Sequence, residues 1–130
     1  MKKPKIVMTV MKEDSGYSAT ASVKEIHINT EGETLDELKQ NIVEAVNLSF
    51  EDKGFVYKAD EIALKPDLQT FFEFYKVINA KALSERIGMN QSLLAQYIKG
   101  IKKPSPSQTQ RILKGVQKVG KELASIQFLL

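Results

Sequence analysis

Residues 80–100 read AKALSERIGMNQSLLAQYIKG and contain two short amphipathic segments with a glycine between them. Ser84 lies in the first segment, where a small residue is needed if a second helix crosses it steeply. Gly88 lies where the chain reverses, and a positive φ there favours glycine. The apolar positions around it are Leu83, Ile87, Met89, Leu94 and Tyr97. The pattern predicts helices over residues 80–87 and 91–99, the second capped by Asn90 and ended by Gly100.

Two short helices joined in this way form a helix-turn-helix, and the second helix of that motif lies in the major groove of DNA. Amide side chains can pair with adenine, a serine hydroxyl with either type of base, and an alanine methyl with thymine. Lysines that follow would contact phosphates. The predicted base contacts are Asn90, Gln91, Ser92, Ala95 and Gln96, and the predicted phosphate contacts are Lys81, Lys99, Lys102 and Lys103. The alternative is that these residues form only a polar surface and a solvated loop.

The same stretch resembles the phage-repressor, or Xre-like, family of helix-turn-helix proteins. The resemblance continues into residues 100–105, GIKKPS, which are similar to that family's loop before its next helix. It covers residues 67–121. The sequence departs from the family at Ser84, where alanine is commoner, and in the tail beyond Gly120. The resemblance implies an all-α DNA-binding domain over residues 67–130.

Two further helices are predicted in that domain, one beginning at the capping residue Asp67. The other begins at Ser105-Pro106-Ser107-Gln108, which places a serine cap before a proline at the first helical position. This last helix carries an apolar seam of Ile112, Val116, Val119, Leu123 and Ile126. A single module of this size usually binds a specific site as a dimer, so a homodimer or a higher oligomer is expected. The seam either packs within the chain or pairs with a partner, and the sequence leaves both open.

The front half, residues 1–66, changes to a β period. Strands are predicted over residues 5–12, 17–21, 23–29 and 61–65, with a break at 30–32. Thr34 and Glu37 form a capping box for a helix of about five turns that ends at Lys53-Gly54. The order β-β-β-α-β followed by helices places the chain in the α+β class.

Charge divides the chain in the same place. Residues 1–66 hold 9 lysines and 12 acidic residues, whereas residues 67–130 hold 10 basic and 4 acidic residues. The front half therefore carries −3 and the back half +6, which give the net +3 of the chain. An acidic half joined to a basic half indicates two different partners, and the basic half is suited to a polyanion.

Composition excludes several classes of function. There is no cysteine, so disulfides, thiolate nucleophiles and cysteine-based zinc sites are excluded. The single histidine, His27, lies in a strand between two isoleucines and is expected to face outward, without a metal-binding role. No cofactor and no catalytic residue is predicted. No apolar run approaches the roughly 20 residues that span a bilayer, and the basic N-terminus lacks the rest of a signal peptide, so a cytoplasmic location is expected.

The front half resembles the HicB antitoxin family. The similarity rests on a Tyr17-Ser18-Ala19 strand, a Gly32-x-Thr34-x-x-Glu37 helix start and an Asn41-x-x-x-Ala45 pattern within the helix. It covers residues 5–65, and the sequence lacks the Pro-Gly-Cys-type loop common after the second strand of that family. The resemblance implies a partial ribonuclease-H-like fold without nuclease activity. It also implies that this domain blocks a small basic HicA-like ribonuclease toxin, and that the helical domain represses the operon.

Two other functions remain open from the sequence. One is a stand-alone transcriptional regulator whose front domain senses a small ligand or a protein. The other is an enzyme, which the lack of cysteine, of a second histidine and of a carboxylate cluster disfavours. A neighbouring reading frame for a short basic protein would favour the antitoxin.

Overall fold

The computed structural model describes residues 2–130, which form two compact units, one ending at Phe74 and the other spanning Tyr75–Leu130. The class is α+β, with a four-stranded mixed sheet followed by helices. The sequence-based boundary lay after residue 66, whereas the structure divides the chain after residue 74. The structural division widens the charge contrast, because residues 1–74 hold 9 lysines against 14 acidic residues and residues 75–130 hold 10 basic against 2 acidic residues. The first unit therefore carries −5 and the second +8.

The first unit (unit 1) is a sheet with one long helix against it. Its elements are β1 Ile6–Lys12, β2 Tyr17–Val23, β3 Ile26–Gly32, α1 Leu35–Ser49, β4 Ile62–Pro66 and α2 Leu68–Phe74. The strand order is β3-β2-β1-β4, in which β1, β2 and β3 are antiparallel neighbours and β4 runs parallel to β1. This confirms the predicted element order, and it puts the last strand beside the first.

The core of unit 1 lies between the sheet and α1. On β1 the alternate residues Ile6, Met8 and Val10 are buried while their neighbours are exposed, which is the period of a strand covered on one face. On α1 the buried residues Leu38, Ile42 and Val46 follow at spacings of four. Twelve buried apolar residues form one continuous cluster. The sheet therefore has one buried face and one exposed face.

The predicted third strand is displaced from its observed position. Val23 ends β2, and Lys24 takes a left-handed φ of 57° in the turn that follows. The strand then runs Ile26–Gly32, so the predicted break at residues 30–32 was wrong. Ladder pairing overrides the weak β propensity of Asn29-Thr30-Glu31-Gly32, because Gly32 stands opposite Tyr17.

Gly32 is required because α1 approaches the strand very closely. A Cβ built on Gly32 would lie 2.6 Å from the Leu38 nitrogen and 2.8 Å from its Cα. The start of α1 is fixed by its cap, since the Thr34 hydroxyl accepts from the Glu37 amide at 3.1 Å. The reciprocal bond of the capping box goes from the Glu33 amide to the Glu37 carboxylate, 3.4 Å away, and not from Thr34 itself. The glycine at 54 ends a short 3-10 turn, Glu51–Lys53, and not α1.

Helix α2 belongs to the sheet unit because polar bonds attach both of its ends. Asp67 caps the helix through the Thr70 amide at 2.9 Å, and its own amide donates to the Val10 carbonyl at 3.0 Å. At the other end the Tyr17 hydroxyl donates to the Glu73 carboxylate at 2.5 Å, and the Lys12 ammonium lies 3.4 Å from the same carboxylate. The predicted cap at Asp67 is confirmed. The helix that it begins is part of unit 1.

The second unit (unit 2) consists of α3 Ala80–Ile87, α4 Gln91–Ile98 and α5 Pro106–Ala124. Each begins at a polar cap whose side-chain oxygen accepts from the amide three residues on. The caps are Asn79, Asn90 and Ser105, at 3.0, 3.1 and 3.2 Å. The predicted bounds of the first two helices are confirmed to within a residue, and so is the proline at the start of α5.

Candidate nucleic-acid interface

One face of α4 is buried and the other is polar and exposed. Leu94 and Tyr97 are buried, as Met89 is just before the helix. The predicted base contacts on the other face are all exposed except Ala95, which is half-buried, and they are Asn90, Gln91, Ser92, Ala95 and Gln96. Folding therefore leaves the polar face of α4 open to a partner.

Asn90 has two demands on one side chain. Its Oδ1 accepts from the Leu93 amide at 3.1 Å, which begins α4. A bidentate pair with adenine needs both the oxygen and the nitrogen of the amide. The capping bond fixes the orientation of the Asn90 amide, whose Nδ2 and second Oδ1 lone pair remain available. Among the residues that the structure describes, no capping bond of this kind fixes the amides of Gln91 and Gln96.

The turn between α3 and α4 is fixed by backbone groups and by one arginine. Gly88 has a φ of 68°, and the Met89 amide donates to the Ser84 carbonyl at 2.9 Å. Arg111 of α5 donates to the Ile87 carbonyl from Nε at 3.1 Å and from Nη2 at 2.8 Å, and to the Gly88 carbonyl at 2.7 Å. These are the carbonyls that the end of α3 leaves unpaired. No local sequence pattern links Arg111 to residues 87 and 88, so its role was not predicted.

Buried Ser84 has the role expected of a small residue in α3. It is fully buried, and its hydroxyl donates to the Lys81 carbonyl one turn earlier at 2.6 Å. The hydroxyl thus has a partner inside the helix, which allows a serine to be buried at this position. Burial of the hydroxyl without such a bond would cost about 1–3 kcal/mol.

The four predicted phosphate-binding lysines are exposed. They are Lys81, Lys99, Lys102 and Lys103. Unit 2 has only two acidic residues, and Glu122 pairs with Arg86. Within residues 2–130 none of the four lysines forms an ion pair. Three of them follow α4 directly, where the amides of Ile101 and Lys102 donate to the Gln96 carbonyl at 3.0 and 3.3 Å and hold the loop against the helix end.

The apolar seam of α5 changes character along its length. Ile112 is buried, Val116 and Val119 are half-buried, and Leu123 and Ile126 are 66% and 56% exposed. The predicted seam extends too far, because α5 ends at Ala124 and Ile126 lies beyond the helix. Gly115 lies under α3, since a Cβ built there would be 2.4 Å from Ile87 Cγ2. The first part of the seam thus packs within unit 2. The second part remains uncovered, and so do Phe128, Leu129 and Leu130 after it.

Interacting titratable groups of unit 1 lie at the attachment of α2. The hydrogen bond to Glu73 raises the pKa of the Tyr17 hydroxyl, and burial adds to the effect. Burial lowers the pKa of Lys12, but the Glu73 carboxylate outweighs it and raises that pKa above its usual value. The Tyr17 hydroxyl and the Lys12 ammonium thus both interact with the Glu73 carboxylate, and together they attach α2 to the sheet.

His27 is exposed on the open face of the sheet, as expected, and its Nδ1 lies 2.9 Å from the Ser22 hydroxyl. Across residues 2–130 the structure brings together no group of three or more histidine or acidic residues that could hold a metal ion. No helix in this range has both the length and the apolar character needed to cross a membrane.

Comparison of the chain with protein-family models, with curated proteins and with solved structures finds no match.

Proposed function

We propose that the chain is an antitoxin of the HicA/HicB type, in which unit 2 binds operator DNA and unit 1 binds and blocks a ribonuclease toxin. The observation that carries the proposal is the charge contrast between the units, −5 against +8, together with the exposed polar face of α4 in the basic unit. The proposal assigns no catalysis to the chain. Its location would be the cytoplasm, where messenger RNA and operator DNA are both accessible.

Support for DNA binding comes from how α4 is presented. Buried Leu94 and Tyr97 orient the helix, and the Arg111 bonds to the preceding turn fix where it begins. Gln91 and Gln96 are then held on a rigid element, which is what base reading requires. Three lysines without acidic partners follow at the end of the helix, where phosphates would flank the groove.

The DNA-binding proposal is tested with an operator selected from random duplexes. Gln91→Ala and Gln96→Ala should each weaken specific binding by about 1–3 kcal/mol per lost base contact. Lys102→Ala should weaken binding to all sequences and lower the slope of log K against log salt by about one unit. Gln40→Ala and Lys39→Ala, exposed on α1 of unit 1, are the matched controls and should leave binding unchanged. Equal binding by all five variants would contradict the assignment of α4.

Support for a toxin partner comes from the acidic charge of unit 1. A toxin that acts on RNA is expected to be basic, and opposite fields speed association. The HicB-like motifs all lie in unit 1: Tyr17 and Ala19 on β2, Gly32 against α1, and Thr34 at its cap. Asn41 of the family pattern donates to the Glu31 carbonyl at 2.8 Å, so it connects α1 to the edge of the sheet.

Co-expression with the product of the neighbouring gene tests this half of the proposal. A small basic protein should co-purify with the full chain, and messenger RNA cleavage by that protein should stop in the complex. A size-exclusion run with and without operator DNA would then show whether one assembly holds both partners. A neighbour that neither binds nor cleaves RNA would overturn the antitoxin assignment and leave DNA binding intact.

A second candidate function is a stand-alone regulator in which unit 1 senses a small ligand. A cleft of about 360 Å³ in unit 1 favours it. The cleft has apolar walls, including Val23, Phe50 and Phe55, and charged groups at Lys24 and Lys53. Ligand sites of this size have the same mixture of apolar walls and a few polar groups. Operator affinity that changes with a small molecule, and is indifferent to any protein neighbour, would favour this candidate.

The operator-bound form is proposed to be a homodimer or a higher oligomer. The uncovered end of the α5 seam, at Leu123 and Ile126, offers a large exposed apolar surface of the kind that marks an interface. Leu123→Glu should then reduce operator affinity without altering contacts at α4. Unchanged affinity and unchanged mass in solution would exclude this surface as the dimer contact.

A further inference from the structure

The sheet of unit 1 has two edges, and they are protected unequally. At one edge, β4 has five residues and ends in Lys65 and Pro66, and a proline has no amide to donate. At the other edge, β3 has seven residues, contains neither proline nor lysine, and pairs with β2 in an unbroken register. Proteins commonly blunt edges with lysine, proline or bulges, so an unblunted edge can pair with another strand.

Two observations show which groups of β3 point outward. In an antiparallel ladder, residues alternate between pairs that exchange both hydrogen bonds and pairs whose groups face away. The Glu13 amide donates to the Gly16 carbonyl at 3.1 Å, so the even-numbered residues of β2 direct their backbone groups toward β1 and the odd-numbered ones toward β3. The partners of the odd-numbered residues on β3 are even-numbered. The backbone groups of residues 27, 29 and 31 therefore face away from β2. The Glu31 carbonyl accepts instead from Asn41 of α1, which agrees with that phase. The open groups along the edge are therefore the amides of these residues and the carbonyls of His27 and Asn29. The Glu31 carbonyl has one lone pair left beside its bond to Asn41.

The same three residues place their side chains on the exposed face of the sheet. The burial pattern of β3 leaves His27, Asn29 and Glu31 exposed while Ile28 is buried. The three read base, amide, acid in order. The His27 Nδ1 is near the Ser22 hydroxyl, so its Nε2 remains to face a partner.

This order is complementary to itself when reversed. If a second β3 lies antiparallel with Asn29 opposite Asn29, then His27 of each strand stands opposite Glu31 of the other. An amide carries both a donor and an acceptor, so the central pair can bond to its own copy. An imidazole N–H that faces a carboxylate across the ladder can donate a hydrogen bond to it, whereas two carboxylates facing each other destabilise the ladder. Every outward residue then meets an outward residue, so the backbone bonds form as well.

We infer that β3 is a self-association edge, at which a second copy of this chain pairs antiparallel about Asn29 and joins two four-stranded sheets into one of eight strands. The contact is isologous, because the same patch is used by both copies. It is independent of α4 and of the α5 seam. Together with a contact at the α5 seam, it would give each chain two self-contacts and allow a tetramer.

Single cysteines test this inference directly in the full chain, which has no cysteine of its own. Residues in a hydrogen-bonded antiparallel pair have Cα atoms about 5.5 Å apart, within the roughly 4.4–6.8 Å that a disulfide spans. Asn29→Cys should therefore give a covalent dimer under mild oxidation. The control is Thr20→Cys, which is exposed on the same face and stands opposite Asn29 on the interior strand β2. Absence of the dimer at position 29, or equal cross-linking at 20, would overturn the inference.

The register has its own test. His27→Cys alone and Glu31→Cys alone should stay monomeric on a non-reducing gel, because each position stands opposite the other. A mixture of the two variants should give the mixed disulfide. Cross-linking of either variant with itself would show a different register and overturn the pairing about Asn29.

A charge exchange separates specific pairing from chance collision. In the Asn29→Cys background, His27→Glu places carboxylates opposite each other twice and should lower the yield of the covalent dimer about tenfold. The double change His27→Glu with Glu31→His restores an imidazole opposite each carboxylate and should restore the yield. An equal yield in all three would mean that the disulfide traps random encounters, which would overturn the inference.

Discussion

The two units of this chain differ in the kind of internal contact that stabilises each of them. Unit 1 is closed by residues far apart in sequence, as when Ile6 pairs with Ile62 and the Tyr57 hydroxyl donates to the Pro4 carbonyl at 2.5 Å. Unit 2 has five buried apolar side chains, against twelve in the cluster of unit 1, and each of its helices begins at its own cap. The stability of unit 1 therefore depends on close contacts between backbone segments that are distant in sequence and cannot move apart easily. The stability of unit 2 depends on local hydrogen bonds and side-chain packing.

The largest effect is expected where backbone meets backbone. Gly32→Ala should destabilise unit 1 by about 3 kcal/mol or more, since the added methyl meets the Leu38 backbone and nothing there can rotate away. Urea unfolding followed at the Met8 and Leu94 amides would separate the two units. Gly54→Ala has open space around it and should cost only the roughly 1–2 kcal/mol of a left-handed backbone. Equal losses for the two variants would break the contrast.

A smaller loss is expected in unit 2, where a glycine meets a side chain. Gly115→Ala should cost about 1–3 kcal/mol by crowding Ile87 Cγ2, less about 1 kcal/mol gained in helix propensity. Gly120→Ala, later in the same helix with open space around it, should stabilise α5 by up to about 1 kcal/mol. The same urea experiment, followed at the Leu94 amide, measures the loss of stability in the first variant and the gain in the second. Two stabilised variants would mean that α5 does not pack closely on α3.

Removing one helix cap from each unit should cost a similar free energy, but the length of helix that becomes less protected should differ. Asn90→Ala and Thr34→Ala should each cost about 1 kcal/mol, because each leaves an amide without its side-chain acceptor. We expect hydrogen exchange to rise through the whole of α4 in the first variant. In the second it should rise only in the first turn of α1, which twelve core residues support. Local fraying in both would contradict the dependence of unit 2 on its caps.

The smallest effect is expected at the attachment of α2 and depends on pH. Tyr17→Phe keeps the ring against Phe74 but removes the bond to Glu73, at a cost of about 1 kcal/mol near neutral pH. The pKa of Tyr17 is raised in the folded state, so this contribution is full below the ordinary tyrosine pKa of about 10 and is lost as pH rises through the raised value. The stability difference between the two proteins should therefore shrink above about pH 10. A difference constant to higher pH would exclude this bond as its cause.

The sequence predicted unit 2 more accurately than unit 1, and the reason is physical. Gly88, Asn90 and the Ser105-Pro106 pair act within one turn of their own position, so their meaning is visible in a short window. In unit 1 the same reasoning failed at residues 30–32, because their partner Tyr17 and the helix that touches Gly32 are not neighbours in sequence. It did identify the order of elements and the Thr34 cap.

The candidate site divides in the same way. Exposure of Gln91, Ser92 and Gln96 follows from the helical period and was predictable. Arg111 bonds to carbonyls 23 and 24 residues away, and the capping bond to Leu93 fixes the orientation of the Asn90 amide. Both depend on three-dimensional placement, so no sequence window contains them. The identity of the binding partners depends on the shape and charge of the protein surface, which the hydrophobic period of the sequence does not specify.

The parallel pairing of β1 with β4 has a consequence for synthesis on the ribosome. The partner residues of Ile6–Val10 are Ile62–Pro66, so the nascent chain carries β1 for some fifty-six residues of translation before the strand that covers its second edge exists. During that interval the apolar residues Ile6, Met8 and Val10 can be shielded only by β2, β3 and α1 as these are synthesised, and β1 lacks one of its two neighbouring strands. Contacts between residues so distant in sequence form late in folding, and the intermediates that precede them are prone to aggregation. A pause in translation before residue 62 should therefore make unit 1 a client of chaperones.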